Sequence, residues 1–129
     1  MKLILGVALA CLASCEALAG DDPPQSYAEA NATWQRTRDN LEYQKYATEF
    51  SQFNNHFHLD ERNGCYALAP GSVNLMLMIS RKESGEFAVI ERVFTDVDNA
   101  KARCFEKSYR GVATKAPPFF PFILQMEMK

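Results

Sequence analysis

The chain has little of what usually announces chemistry. Trp34 is its only tryptophan, His56 and His58 are its only histidines, and its six glycines are scattered. None of those glycines opens a helix in the G-x-x-x-x-G-K pattern whose backbone amides cradle phosphate. No G-x-S-x-G elbow presents a nucleophilic serine. Charge of one sign is also missing: the formal net charge is -2, and the acidic pair Asp21-Asp22 and the basic pair Arg81-Lys82 stand alone. Without a basic stripe there is nothing to release counterions from a phosphate backbone, which argues against nucleic acid as a partner.

Long apolar runs are represented by one short segment, Leu3 to Ala13, preceded by Lys2. A bilayer-spanning helix needs about 20 apolar residues, so this one has the size of an export signal and not of an anchor. Two processing patterns overlap in it. Ala17-Leu18-Ala19 before Gly20 has the small residues that signal peptidase accepts, whereas Leu12-Ala13-Ser14-Cys15 resembles a bacterial lipobox, in which Cys15 is acylated and becomes the new N-terminus. Both patterns place the folded part outside the cytosol, in a bacterial periplasm or cell envelope, either soluble or lipid-anchored through Cys15. The only contact with a membrane expected here is through that anchor.

About 110 residues follow, enough for one domain with one modest core. Of the four cysteines, Cys11 and Cys15 lie in the processed segment, which leaves Cys65 and Cys104. In an oxidising compartment a disulfide is the expected outcome, and neither cysteine sits in a C-x-x-C motif that would suggest redox catalysis or a metal.

Secondary-structure signals divide the remainder into a helical region, 20–57, and an α+β part, 58–129. Ser26-Tyr27-Ala28-Glu29 reads as a capping box. Tyr27, Ala30, Trp34 and Leu41, then Tyr46, Phe50, Phe53 and Phe57, recur at helical spacing, which predicts one long N-terminal helix or two consecutive ones. After Gly64 the period shortens. Val73, Leu75, Leu77 and Ile79 alternate with Asn74, Met76, Met78 and Ser80, and Phe87 to Phe94 follows a Glu83-Ser84-Gly85 turn, so a hairpin is predicted. Asp96 or Asp98 is placed to cap a short helix through Tyr109 that Gly111 stops. Phe122 to Met128 alternates as a terminal strand after Ala116-Pro117-Pro118. The expected fold class is α+β: helix or helices, then strand, strand, helix, strand, with a three-stranded antiparallel sheet.

This order, with Cys65-Tyr66 ahead of the first strand, the turn at Gly85, Asp96-Val97-Asp98-Asn99 opening the short helix and Pro117-Pro118 ahead of the last strand, resembles the TonB C-terminal domain family over roughly Tyr46 to Met128. The resemblance implies a small periplasmic binding module, not an enzyme, that takes an extended peptide segment of an envelope protein by adding it to an exposed strand edge. The terminal strand is the corresponding edge here. Pro121, which lacks a ladder amide, suits a strand start or an edge. Phe122, Ile123, Gln125 and Glu127 are the residues placed to meet the partner. A periplasmic enzyme inhibitor or immunity-type protein is the alternative, since small disulfide-bonded lipoproteins suit that task.

No cofactor and no catalytic residue is expected. The segment Asn55 to Glu61 holds both histidines and two carboxylates, and in a strand His56 and His58 would share a face suited to zinc. The helical spacing of Phe50, Phe53 and Phe57 makes the two imidazoles diverge instead, so no metal site is assigned. His58 with Cys65 is a catalytic dyad only if Cys65 is reduced, which the disulfide argument opposes.

The overlapping processing patterns make a direct prediction. Intact-mass analysis of protein from envelope fractions is expected to find Cys15 or Gly20 at the N-terminus, and a retained Met1 there would contradict export.

Overall fold

The computed structural model describes residues 22–56, 64–81 and 87–129. The expected export signal 1–19 with Cys15, His58 with the carboxylates at 60 and 61, residues 82–86 with the expected Glu83-Ser84-Gly85 turn, and the side chains of Phe53 and His56 lie outside the described residues.

The helical region is two helices and not one. Helix α1 (Tyr27–Thr37) starts where the Ser26 hydroxyl accepts the Glu29 amide at 3.2 Å. The Glu29 carboxylate takes the Gln25 amide at 2.7 Å, one residue before the one a standard capping box would use. The chain then breaks over Arg38 to Asn40. The Asn40 side-chain carbonyl accepts the amides of Glu42 at 2.8 Å and Tyr43 at 3.3 Å, so a second cap starts helix α2 (Leu41–His56). The break turns Leu41, expected on the apolar stripe, out to 80% exposure.

Strands β1 (Val73–Arg81) and β2 (Phe87–Thr95) form the predicted hairpin, followed by α3 (Ala100–Tyr109), β3 (Ala113–Lys115) and β4 (Phe122–Met128). The sheet has four antiparallel strands in the order β3-β2-β1-β4, which corrects the three-stranded expectation. The added strand is only Ala113 to Lys115, paired with Val89 to Phe87. It follows at once on α3 because Gly111, at φ +86°, reverses the chain and donates its amide to the Ile90 carbonyl at 2.8 Å. Asn99 caps α3 by accepting the Ala102 amide at 2.8 Å. Asp96 and Asp98, the expected caps, instead bind Asn74 and Arg103 respectively.

Helices cover both faces of this sheet. On one face Val73, Leu75, Leu77, Ile79, Ile90 and Phe122 pack with Tyr43, Tyr46 and Phe50 of α2 and with Phe105 and Tyr109 of α3. On the other, Met76, Met78, Phe94 and Ile123 lie beneath α1, which contributes Ala30 with Tyr27 and Trp34 beside it. β1 is therefore buried on both sides, with Leu75 at 0% and Met76 at 1% exposure. The helical segment 20–57 and the α+β segment 58–129 thus share their core.

Cys65 and Cys104 are disulfide-bonded, with Cα atoms 5.5 Å apart, and tie the segment before β1 to α3. Closing a loop across a separation of 39 residues removes chain entropy from the unfolded state worth about 4 kcal/mol on the loop-closure account. A second tie lies beside it. Lys101 is 2% exposed, donates from Nζ to the Gly71 carbonyl at 2.6 Å, and sits under the Tyr66 ring, so its buried charge is met by a carbonyl dipole and a π face.

Two-sided burial has a measurable consequence. Leu75→Asp and Met76→Asp should each lose roughly 3 kcal/mol or more, because either carboxylate is buried without a partner. Urea unfolding checks this, and near-wild-type stability of Met76→Asp would mean that α1 does not cover its face in solution.

Candidate functional site

β4 is an outer strand of the sheet. Which of its backbone groups face outward follows from its neighbour. Asn74 in β1 turns its backbone toward β2: its carbonyl accepts the Asp96 amide at 3.3 Å and its own amide donates to the Asp96 carboxylate at 2.9 Å. Backbone groups alternate in direction along a strand, so Leu75 and Leu77 turn toward β4, where they oppose Met126 and Leu124. Leu124 and Met126 thus hold the ladder, and the N–H and C=O groups of Ile123, Gln125 and Glu127 point out of the sheet.

The side chains at the four expected edge positions are disposed differently. Phe122 is fully buried, stacked on Tyr43 at 5.0 Å, edge-on to Tyr46 at 4.7 Å and against Phe119 at 5.3 Å. Ile123 is fully buried beneath α1. Neither side chain reaches the surface. Gln125 is half-buried and donates from Nε2 to the Asn74 side-chain carbonyl at 3.4 Å, and only Glu127 is exposed. What the strand offers at 123 and 125 is backbone.

Helix α2 lies beside that edge, its Tyr43 ring stacked on Phe122 at the start of β4. A groove of about 290 Å³ runs between α2 and the strand, lined by Trp34, Tyr43, Phe50, Leu124, Gln125 and Met126. At the opposite outer strand the same helix acts again. The Tyr46 hydroxyl donates to the Lys115 carbonyl at 2.6 Å and reaches the Thr114 hydroxyl at 3.4 Å, while Lys115 pairs with Glu49 at 3.1 Å.

Sequence reasoning missed Tyr43. The signal was present, since Tyr43, Tyr46 and Phe50 recur at i, i+3 and i+7. It was obscured by fixing the helical phase on Phe50, Phe53 and Phe57. The disulfide residues Cys65 and Cys104 join the segment before β1 to α3. Cys15 lies outside the described residues. Among the described residues no three His, Cys, Asp or Glu side chains come together in a group able to hold a metal ion.

Burial raises the pKa of Tyr43 above that of a free phenol, opposed by the Gln125 amide, Trp34 and Arg38. Burial likewise raises Tyr46, with Thr114 opposing and the Glu49 charge adding. Tyr27 is raised by burial and by the charge of Asp96. Unfolded phenols ionise near pH 10, about where free tyrosine does. Above that pH the unfolded chain loses protons that the folded chain keeps, so these groups contribute their full stability below about pH 10 and lose it as pH rises through the folded values. Urea midpoints are expected to fall as pH rises above about 10, and less steeply in Tyr43→Phe combined with Tyr46→Phe. Equal slopes in both proteins would show that the two phenols are not desolvated.

In comparisons with known proteins the chain matches no family model, no curated protein and no solved structure.

Proposed function

We propose that the protein is an exported binding module, not an enzyme, which takes an extended peptide segment of an envelope protein along the outer edge of β4. The observation that carries this is the direction of the β4 backbone: the N–H and C=O groups at 123, 125 and 127 point out of the sheet. They do so beside an aromatic-walled groove. An added strand would pair with those groups, and its alternate side chains would enter the groove against Trp34, Phe50 and Met126. The layout likeness to TonB C-terminal domains supports the same edge.

Location outside the cytosol is supported by the leader 1–19, with cleavage before Cys15 or Gly20, and by the Cys65–Cys104 disulfide, a bond that persists in oxidising compartments. No helix among the described residues is long and apolar enough to cross a membrane. In the lipid-anchored form Cys15 is the membrane attachment.

Panning a random-peptide display library on the immobilised protein tests the proposal. Selected peptides are expected to shift and protect the amides of Ile123, Gln125 and Glu127 in nuclear magnetic resonance spectra. Glu127→Pro removes one outward amide and leaves the β1–β4 ladder intact, so it should weaken these peptides by about tenfold. Selected peptides that map to another surface, or that bind Glu127→Pro as well as wild type, would overturn it.

A further inference from the structure

The two faces of β4 differ in chemistry. Leu124 and Met126 stand on the α2 side, in the main core, and line the groove together with Trp34, Tyr43 and Phe50. Side chains alternate across a strand, so Gln125 and Glu127 belong to the other face. Glu127 is exposed and enters no ion pair among the described residues. Directly opposite it on β1 is Asn74, which holds the Asp96 carboxylate through its backbone amide at 2.9 Å and its side-chain amide at 2.8 Å. Two carboxylates therefore flank Asn74 at this end of the sheet. The cation of β2, Arg92, lies opposite Met78 toward the other end, where the Gln25 side chain and the Phe94 ring take it up.

We infer that the β4 edge selects a strand that is basic on one face and apolar on the other, with a lysine or arginine directly across from Glu127 and apolar side chains across from Met126 and Leu124. This rests on the β4 edge being the binding site. Residues directly opposed on neighbouring strands share a face, where opposite charges attract and like charges repel. Every strand pair in this sheet is antiparallel. An antiparallel partner whose cation lies across from Glu127 puts its next residue across from Met126, and the residue two further on across from Leu124. The recognised sequence, from N- to C-terminus, is then cation, apolar, any residue, apolar. Its two parts contribute differently. Apolar side chains that enter the groove leave water and supply most of the affinity, whereas an exposed charge pair adds only a small factor. The charge thus decides which apolar strands are accepted, and in which register.

The test uses the full chain and three blocked peptides, TKLTLT, TELTLT and TKSTST in one-letter code, followed by amide shifts at 123, 125 and 127. At low salt wild type is expected to bind TKLTLT about two- to fivefold more tightly than TELTLT, a preference that fades as salt is raised. Glu127→Lys should reverse the order of those two peptides. The substitution is at an exposed position, so the fold is kept. TKSTST should bind about tenfold more weakly than TKLTLT to both proteins. Trp34, the only tryptophan, lines the groove, so its emission should move to shorter wavelength with TKLTLT. An unchanged order in Glu127→Lys, with shifts at the edge, would overturn the charge selection and leave the edge in place. Equal binding of TKLTLT and TKSTST, again with shifts at the edge, would overturn the apolar part in the same way. No shift at the edge with any of the three peptides would overturn both the inference and the binding site on which it rests.

Discussion

Helix α2 reaches both outer strands of the sheet through two tyrosines one turn apart. Tyr46 donates to the Lys115 carbonyl on β3 at 2.6 Å, and the Tyr43 ring stacks on Phe122 of β4 at 5.0 Å. Those strands are the two ends of the order β3-β2-β1-β4, so a single helix touching both requires the sheet to curl around it. Unpaired backbone groups at a sheet edge need partners, and on β3 the Tyr46 hydroxyl supplies one for the Lys115 carbonyl. The aromatic packing follows from that placement. Phe122 opens β4 directly under the helix and is met by Tyr43, Tyr46 and Phe119.

With α2 in the curl, the other face of the sheet is left to α1. That division explains the composition of β1. A strand buried on one side alternates, whereas one buried on both sides is apolar nearly throughout. Met76 and Met78 fall in step with Asn74 and Ser80 in the sequence, and that phase suggested a solvent-facing row. The row begins and ends polar, but its middle is methionine, a flexible apolar side chain that fills the irregular space under Ala30 and Trp34.

Such residues mark where the sequence was legible. Ser26 as a helix start, Gly111 as a stop, the hairpin and the Cys65–Cys104 bond each rest on local chemistry that a few residues express by themselves, and the structure contains all of them. The break between α1 and α2 was equally local, since Asn40 is a strong cap, yet the apolar spacing runs across it through Leu41 and masks it. β3 was not legible. Three residues cannot show a two-residue period, and they are a strand only because β2 lies alongside. At the candidate site, the outer position of β4 was expected from Pro121 and the chain order. The burial of Ile123 was not, because it depends on α1 crossing the far face.

Ties are distributed unevenly over this core, and the proposed function draws on that unevenness. The α3 side is fixed by the Cys65–Cys104 bond and by Lys101 on the Gly71 carbonyl. Helix α2 has no covalent tie of this kind among the described residues and reaches the sheet through the rings of Tyr43, Tyr46 and Phe50, with a hydroxyl contact at the β3 edge. Elements held by side chains alone open locally at lower free energy than elements in a backbone ladder or a cross-linked loop. The strand edge that faces α2 is therefore the part of the sheet that can change partners without loss of the ladder, the disulfide or the packing beneath α1. A binding edge on β3 would need Tyr46 and the Lys115–Glu49 pair to yield together, across a strand of three residues. On β4 the backbone offered is longer, seven residues, and the groove is already formed beside it. The asymmetry between the two edges, more than the presence of an edge as such, is what favours β4 in the binding proposed above.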